Sequence, residues 1–302
     1  MPSPRLATIR RHCLPMGPVE TDVQPVVRPL PGIKCVLFDI YGTLFVSDSG
    51  DVGTAATGER EQALSDALRA VGLRLQRATL EDDCNGGRRA GDHLIAAIRD
   101  AHQSSRKQGI EYPEVDIVAI WKDTLQRLGQ SKLLAAPAEH VDFYELALEY
   151  EMRTNPTWPM PGVRECLRRL VHRGSRLGMI SNAQFFTQQL FPALLDQPAD
   201  ALGFESCLQF YSYQWGRAKP GLFLYQRAVE ALSRIKIDAH DVLYVGNDML
   251  NDVTPAWNVG FRTALFAGDA RSLRLRRGDP RVAGIEPDVV ITELSQLDGC
   301  IE

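Results

Sequence analysis

Three apolar segments of this chain each end in polar side chains, and this repeated pattern constrains the fold more than any other feature. The segments are IKCVLFDI (33–40), SRLGMISN (175–182) and DVLYVGND (241–248). Mostly apolar runs of this length are typical of strands that are buried on both faces of a parallel sheet. In open sheets of this kind, ligands bind outside the carboxyl ends of the strands. The pattern therefore predicts a polar site formed by Asp39, Ser181–Asn182 and Asn247–Asp248.

Helical and strand-like segments alternate in the second half of the chain. FRTALFAG (261–268) and PDVVITEL (287–294) are two further strand candidates, and VRECLRRLVHRG and LFLYQRAVEAL have helical apolar spacing. Strands that alternate with helices form an open α/β sheet with helices on both faces. We therefore expect an α/β fold with a mostly parallel sheet.

Two regions differ from this alternation. Residues 1–32 contain seven prolines and no periodic apolar pattern, which indicates a loose or irregularly packed arm. Residues 54–155 contain helical segments such as GEREQALSDALRAVGL and no convincing strand, and they end at the proline-rich NPTWPMPG (155–162), which we interpret as a linker. The predicted organisation is an arm (1–32), an α/β core domain (33–53 and 156–302) and a helical domain (54–155).

Charge and cysteine content exclude several classes of protein. The 302 residues carry 34 basic and 38 acidic side chains and a net charge of -4, so electrostatics gives no case for nucleic acid or an anionic membrane as a partner. No apolar run approaches the roughly 20 residues of a membrane span, and residues 1–18 lack the apolar region of a secretory signal. The six cysteines are scattered, as free thiols in a reducing compartment are. We expect a cytoplasmic protein; the oligomeric state stays open.

Four short motifs occur in an order that resembles the haloacid dehalogenase (HAD) superfamily of hydrolases. They are DIYGT (39–43), ISN (180–182), KPG (219–221) and VGNDMLND (245–252). The resemblance covers most of residues 33–297. It implies a Rossmann-like core, a C1-type cap formed by the helical insert after the first strand, and a small, anionic substrate.

The resemblance also implies roles for residues of the first three motifs. Asp39 would be the nucleophile, since a carboxylate can attack phosphorus or carbon and leave a covalent intermediate that water cleaves. Gly42 would allow a tight turn, and Thr43 would hold the acid in place. Ser181 would donate to the substrate, and Lys219 would hold nucleophile and substrate oxygen together. The implied catalytic set is Asp39, Tyr41, Thr43, Ser181, Asn182 and Lys219, and the substrate-binding set is Gly42, Ser181, Asn182 and Lys219.

The fourth motif implies a metal site but departs from the common pattern. A common superfamily form has Asp directly after the glycine, whereas here Asn247 follows Gly246 and Asp248 comes next. Either residue could be the first ligand, and Asp252 fits the second. With the Asp39 carboxylate and the backbone carbonyl of Tyr41, these oxygens suit Mg²⁺. Asp252 could equally cap the following helix.

Tyr41 stands where superfamily phosphatases usually have a second Asp that protonates the leaving group. The D-x-Y-G-T form resembles L-2-haloacid dehalogenases, whose halide leaving group needs no proton, and the spacing from Lys219 to Tyr225 also fits those enzymes. Tyr225 is equally well explained as an aromatic on a helix face.

The acids of the fourth motif favour a phosphatase. A phosphate dianion about 4 Å from a carboxylate is repelled by roughly 8 kcal/mol at an effective dielectric near 20, and a divalent ion removes that barrier. We therefore favour Mg²⁺-dependent hydrolysis of a small phosphorylated metabolite. An (S)-2-haloacid dehalogenase is the second hypothesis, and a non-catalytic protein that binds a ligand or partner is the third. The run RSLRLRR (271–277) is interpreted as a solvated face.

Overall fold

The computed structural model describes residues 4–49, 57–76, 83–138 and 140–301, and the chain divides into two compact units. The helical unit comprises Met1–Leu14 and Val52–Pro156, and the core unit comprises Pro15–Asp51 and Thr157–Glu302. The core unit contains the strands. They are β1 (Cys35–Phe38), β2 (Phe45–Ser47), β3 (Thr157–Pro159), β4 (Arg176–Ser181), β5 (Phe204–Tyr211), β6 (Val242–Gly246), β7 (Arg262–Phe266) and β8 (Val289–Ile291).

The helices belong to both units. In the helical unit they are α1 (Pro4–His12), α2 (Thr57–Ala70), α3 (Asp83–Lys107), α4 (Ile117–Gln130) and α5 (Phe143–Thr154). In the core unit they are α6 (Val163–His172), α7 (Thr187–Leu194), α8 (Ser212–Trp215), α9 (Phe223–Arg234) and α10 (Thr254–Asn258).

A six-stranded parallel sheet in the order β5-β4-β1-β6-β7-β8 forms the centre of the core unit. Strand β1 lies between β4 and β6, with Phe38 beside Met179 on one side and Val245 on the other. Because all three strands run in the same direction, the residues after them emerge at one edge of the sheet. This confirms the predicted α/β fold with its mostly parallel sheet.

Successive side chains of β1 pack on opposite faces of the sheet, as the pleat requires. Leu37 belongs to a buried cluster with Leu224 and Leu232 of α9. Phe38 points to the other face, where its ring meets Phe204 edge-on, and Phe204 in turn meets Phe191 of α7. Helices therefore cover both faces, and every residue of β1 is fully buried.

In the helical unit, α1 packs against α5 through apolar and charged contacts. Ile9 and Cys13 are buried, and the Cys13 thiol lies 3.5 Å from the Met152 sulfur. The carboxylate of Glu149 is also buried and receives Arg11, His12 and Arg153. The guanidinium groups of Arg11 and Arg153, with the imidazole of His12, offset the cost of removing this carboxylate from water.

The predicted arm and the predicted linker are more ordered than their proline content indicates. Helix α1 forms within the predicted arm, and Val26 pairs with Val290 beside β8 through two backbone hydrogen bonds. The predicted linker contains β3, which pairs antiparallel with β2. Both segments gain order from backbone pairing partners that are distant in the sequence. The cap role of residues 54–155 and the domain boundaries stay predictions.

Across the described part of the chain, the helices are all too short or too polar to cross a membrane.

Candidate active site

The three predicted strand-end groups lie at the carboxyl ends of β4, β1 and β6, which are neighbours in the sheet. Asp39 follows β1, Ser181 ends β4, and Asn247 follows β6. Lys219 comes from the loop between α8 and α9, far from these residues in the sequence. The fold therefore assembles residues of all four motifs at one edge of the sheet.

Lys219 is the centre of the assembly. Its ammonium donates to Asp39 Oδ1 at 2.8 Å and to Asp252 Oδ1 at 2.6 Å, and its side chain is only 3% exposed. Burial opposes the charge of Lys219, but the two carboxylates together hold its pKa above the usual value. Burial raises the pKa of the Asp252 carboxyl, and the Lys219 ammonium acts against that rise. Lys219 thus binds the nucleophile candidate and the fourth motif through one positive charge.

The Asp39 carboxylate has one occupied and one available oxygen. Oδ1 accepts the Lys219 bond, and within the described parts of the chain Oδ2 receives no hydrogen bond. The side chain keeps 10% of its surface exposed. An ionised oxygen that is oriented by a neighbouring cation and still accessible can act as a nucleophile.

Asn182 fixes the position of the Lys219 backbone. Its Oδ1 accepts from the Lys219 N–H at 2.8 Å, and its Nδ2 donates to the Lys219 carbonyl at 3.3 Å. The neighbouring Ser181 is almost fully buried, and its hydroxyl donates to the Asn182 carbonyl at 3.3 Å. This contact is long enough for a better acceptor on a bound ligand to replace it.

Tyr41 extends away from the Lys219 centre towards α7. Its hydroxyl lies 2.9 Å from Thr187 Oγ1, which also accepts the Gln184 N–H at 3.2 Å. The phenol therefore joins the motif I loop to the start of α7.

Gly42, Thr43 and Asn247 form a tightly packed turn. Gly42 has a φ of 77°, and a Cβ there would lie 2.5 Å from Ser272 Cβ and 2.7 Å from Asn247 Nδ2. Only glycine fits such a position without displacing its neighbours. Thr43 donates to Asn247 Oδ1 at 3.2 Å rather than to Asp39, so it supports the fourth motif instead of holding the acid. Asn247 Nδ2 donates to the Ser272 carbonyl at 2.6 Å.

Asp248 is engaged on both oxygens. Oδ1 caps the following helical turn by accepting the N–H groups of Leu250 and Asn251 at 2.8 and 3.2 Å. Arg276 binds the same carboxylate with Nη2 at 2.6 Å from Oδ2 and Nε at 3.1 Å from Oδ1. The helix cap that the sequence allowed for Asp252 is therefore supplied by Asp248.

The arginine-rich run 271–277 is not a solvated face, contrary to its interpretation from the sequence. The Arg274 N–H donates to the Asn247 carbonyl, and the Met249 N–H donates to the Arg274 carbonyl, both at 2.9 Å. The run is bound along the fourth-motif loop because that loop offers unpaired backbone groups after β6 ends.

Asp252 is the most enclosed acid of the site. Its Oδ1 receives Lys219 and the hydroxyl of Tyr244, the latter at 3.1 Å, and its Oδ2 accepts the Asp248 N–H at 2.9 Å. A Cβ on Gly246 would lie within 2.6 Å of the Asp252 side chain, so the glycine allows this close approach.

Of the five predicted Mg²⁺ ligands, the three carboxylates are not grouped as a metal site requires, and the assignment of the ligands stays a prediction. The carboxylates of Asp39, Asp248 and Asp252 do not come within metal-ligand spacing of one another as a group. Among the described residues, the one such group of acidic, histidine or cysteine side chains is Asp238, His240 and Asp241, away from the motifs. Both carboxylates of the fourth motif, and the Asn247 amide, already bind protein donors. A Mg²⁺ ion could take these side-chain oxygens only by displacing their protein donors, so the fourth-motif side chains as placed do not fit the ion.

Three residues of the site were not identified from the sequence. Arg276 and Ser272 belong to a loop whose path no local pattern predicts. Tyr244 lies in the middle of β6, where an aromatic is an ordinary strand residue. The one proton of its hydroxyl faces two acceptors, the Ile180 carbonyl at 3.0 Å and Asp252 Oδ1 at 3.1 Å. Tyr225, suggested by its spacing from Lys219, is buried and donates to the Asn251 carbonyl at 2.8 Å.

Comparison with known proteins gives a match to a family. A family model described as haloacid dehalogenase-like hydrolase matches residues 33–260. The haloacid dehalogenase-like hydrolase domain-containing protein 3 of Xenopus laevis is 30% identical over 126 residues, which cover 39% of this chain and 46% of the relative. The chain thus spans about half the length of this curated relative.

Solved structures give a likeness in fold. A 2-haloacid dehalogenase from Pseudomonas syringae pv. Tomato DC3000 matches with a TM-score of 0.54 and 22% identity, over 88% of this chain and 96% of that one. A predicted phosphoglycolate phosphatase from Haemophilus somnus matches with a TM-score of 0.46 and 16% identity, over 89% of this chain and 97% of that one. At 22% identity, the dehalogenase match shows the fold alone.

Proposed function

The chain belongs to the haloacid dehalogenase-like hydrolases, and we propose that it uses Asp39 as a covalent nucleophile on a small 2-haloacid-type substrate. The observation that carries this proposal is the Tyr41 hydroxyl, which binds Thr187 and stands where a phosphatase needs a carboxylic acid. A reaction at this site must release a leaving group that needs no proton. Halide is such a leaving group.

The charge of the site supports a singly charged substrate. Asp39, Asp248 and Asp252 are balanced by Lys219 and Arg276, which leaves one negative charge among these groups. At about 4 Å and an effective dielectric near 20, one negative charge repels a monoanion by roughly 4 kcal/mol and a phosphate dianion by roughly 8 kcal/mol. A substrate with one carboxylate is therefore repelled about half as strongly as a phosphate dianion.

The chemistry follows from the contacts of Asp39. The free Oδ2 attacks the carbon that bears the halogen, the carbon–halogen bond breaks, and halide leaves with the bonding electrons. An ester then joins Asp39 to the substrate. Water attacks the ester carbonyl, the Asp39 carboxylate is regenerated, and a 2-hydroxy acid and a proton are released. Lys219 holds Oδ1 throughout, so that Oδ2 presents its lone pairs to the substrate.

Ser181 and Asn182 have supporting roles in this proposal. The Ser181 hydroxyl, with its 3.3 Å contact to a neighbouring carbonyl, can turn to donate to the substrate carboxylate. Asn182 keeps Lys219 in place through its two backbone hydrogen bonds. The helical unit would act as the C1-type cap that the resemblance implies, and it would set substrate choice.

A phosphatase is the second candidate, and it was the first choice from the sequence. The observation in its favour is the retention of Asp248 and Asp252 in the fourth motif. Members of this family typically use Mg²⁺, so such an activity would depend on that ion and would favour aryl or acyl phosphates, whose leaving groups need little protonation.

One panel of substrates tests both candidates. Enantiomers of 2-chloropropionate, p-nitrophenyl phosphate and acetyl phosphate are each incubated with the full chain, with Mg²⁺ or with a chelator. We expect halide release that the chelator does not change and that Asp39→Asn abolishes. Phosphate release that requires Mg²⁺, without any halide release, would favour the phosphatase. No turnover of any compound would favour the non-catalytic binding hypothesis.

A further inference from the structure

The segment from Asp269 to Arg276, here called the clamp segment, runs along the fourth-motif loop. Its backbone exchanges hydrogen bonds with the loop in both directions, from Arg274 to Asn247 and from Met249 to Arg274. The Ser272 carbonyl adds a third contact by accepting Asn247 Nδ2. Loop and clamp segment therefore hold each other as two short extended strands do.

The clamp segment is itself anchored at its beginning. Asp269 is 1% exposed, and its Oδ1 accepts the N–H of Val19 at 3.0 Å and that of Arg271 at 3.2 Å. The N–H of Leu273 bonds to the Asp269 carbonyl at 2.9 Å. Because a buried carboxylate fixes its start, the segment delivers Arg276 to one position.

Arg276 is held in a demanding geometry at the end of the segment. Its φ is 52°, in the left-handed region that side chains other than glycine, asparagine and aspartate rarely adopt. Its guanidinium binds Asp248 through two nitrogens, an arrangement that a planar fork can make and an ammonium cannot. The unfavourable backbone conformation is offset by this pairing.

The pairing decides what Asp248 can bind. The Asp248 carboxylate already accepts hydrogen bonds from Leu250, Asn251 and Arg276. A metal ion could take an Asp248 oxygen only by displacing one of these donors. The adjacent Asn247 is neutral, and its amide is bound on both ends.

We propose that Arg276 is a positioning residue that supplies the counter-charge of the fourth-motif loop, in the place where the family pattern implies a divalent cation. It keeps the loop and Asp252 aligned with Lys219, and it makes the site independent of Mg²⁺. The metal-binding part of this proposal does not need turnover. The activity part rests on the proposed function.

The test compares two neighbouring arginines. Arg276→Gln removes the guanidinium that binds Asp248, and Arg277→Gln removes the same charge from an exposed side chain one residue later. Mg²⁺ is titrated calorimetrically into the full chain, into each variant, and into Asn247→Asp combined with Arg276→Gln. We expect no Mg²⁺ binding by the wild type up to about 5 mM. We expect the double variant to bind Mg²⁺ with a Kd at least about 10-fold below that limit.

Two results would overturn the metal-binding part. One is Mg²⁺ binding by the wild type with a Kd below about 5 mM. The other is an equal change in Mg²⁺ binding for Arg276→Gln and Arg277→Gln. Both can be read even if none of the tested substrates is turned over, so they are separate from a failure of the proposed function.

The activity part is tested with halide release. Arg276→Gln should lower kcat by about 10-fold with little change in KM, and Arg276→Lys, which keeps the charge but loses the bidentate fork, should recover part of that loss. Arg277→Gln should match the wild type. A loss in Arg276→Gln that Arg276→Lys does not recover, or an equal loss in Arg277→Gln, would contradict the positioning role.

Discussion

Two cations, Lys219 and Arg276, bind the two acids of the fourth-motif loop. The two cations differ in burial and in how many motifs they connect. Lys219 is 3% exposed and joins Asp252 to Asp39, whereas Arg276 is 31% exposed and binds Asp248. The first connects three motifs that are distant in the sequence. The second connects one loop to the clamp segment beside it.

The difference in burial predicts different effects when each cation is removed. Removing one partner of a buried pair leaves an uncompensated charge out of water, while a partner near the surface can be replaced by solvent. We therefore expect Lys219 to affect both stability and chemistry. We expect Arg276 to affect mainly the alignment of the loop.

The largest expected difference concerns the nucleophile. Asp39→Asn should lower halide release by about 10⁴-fold or more, because an amide oxygen cannot form the ester, and the folded state should persist. Asp248→Asn should lower it by only about 10-fold, because the loop loses a charge but the chemistry keeps its reacting group. Initial rates on both variants, with circular dichroism for the fold, make the comparison. Equal losses would mean that the two acids do not have different roles.

The stability of the core unit should separate the two cations. Lys219→Met should destabilise by about 3–5 kcal/mol, because Asp39 and Asp252 remain buried without a counter-charge. Arg276→Met should cost about 1 kcal/mol or less, because its guanidinium is partly exposed and Asp248 keeps its hydrogen bonds from Leu250 and Asn251. Urea unfolding of the full-length variants measures both values. A cost for Arg276→Met as large as that for Lys219→Met would contradict the distinction.

A substitution at Tyr41 that changes no charge tests whether the phenol donates a proton. Tyr41→Phe removes only the hydroxyl that bonds to Thr187, so halide release should stay within about 3-fold of the wild type. A general acid typically contributes about 10²–10⁴-fold. A loss of that size in Tyr41→Phe would make the phenol a proton donor.

The smallest effect is expected at a third ion cluster, around Glu149 in the helical unit. Burial, Arg153 and Arg11 lower the pKa of His12 below its usual 6.5, in that order of size. Glu149 acts in the opposite direction. A group with a lowered folded-state pKa contributes stability above its unfolded pKa and loses it as the pH falls. The free energy of unfolding should therefore decrease slightly from pH 7 towards pH 5, and His12→Gln should flatten this decrease.

Titrations of wild type and His12→Gln by thermal unfolding at several pH values check this expectation. Glu145 and Asp142 also face α1 through Thr8 and Arg5, so both proteins share their titration. An identical pH dependence in the two proteins would show that His12 does not contribute.

The sequence was sufficient to predict the strand ends because each depends on a local pattern. The apolar runs before Asp39, Asn182 and Asn247 specify buried strands, and parallel pairing then brings their ends together. Lys219 was identified by its motif, and the structure places it between two carboxylates.

The partners of Asp248 and Asn247 could not be predicted in the same way. Arg276 lies 28 residues after Asp248 in a loop without helical or strand periodicity, so nothing local indicates which arginine of the run turns inward. Thr43 donates to Asn247, which lies 204 residues later in the sequence, so no local pattern indicates this partner. The ordering of residues 15–32 likewise depends on distant partners such as Val290.

The route of oxygen atoms tests the central claim most directly. A single turnover of 2-chloropropionate is run in water labelled with heavy oxygen, with protein in excess, and the peptide that contains Asp39 is analysed by mass spectrometry. Attack of water on the ester carbonyl places the label in the Asp39 carboxylate, whereas hydrolysis of an aspartyl phosphate at phosphorus leaves Asp39 unlabelled. The account predicts one heavy oxygen in Asp39 and an unlabelled 2-hydroxy acid. An unlabelled Asp39, with the label in the released product, would contradict it.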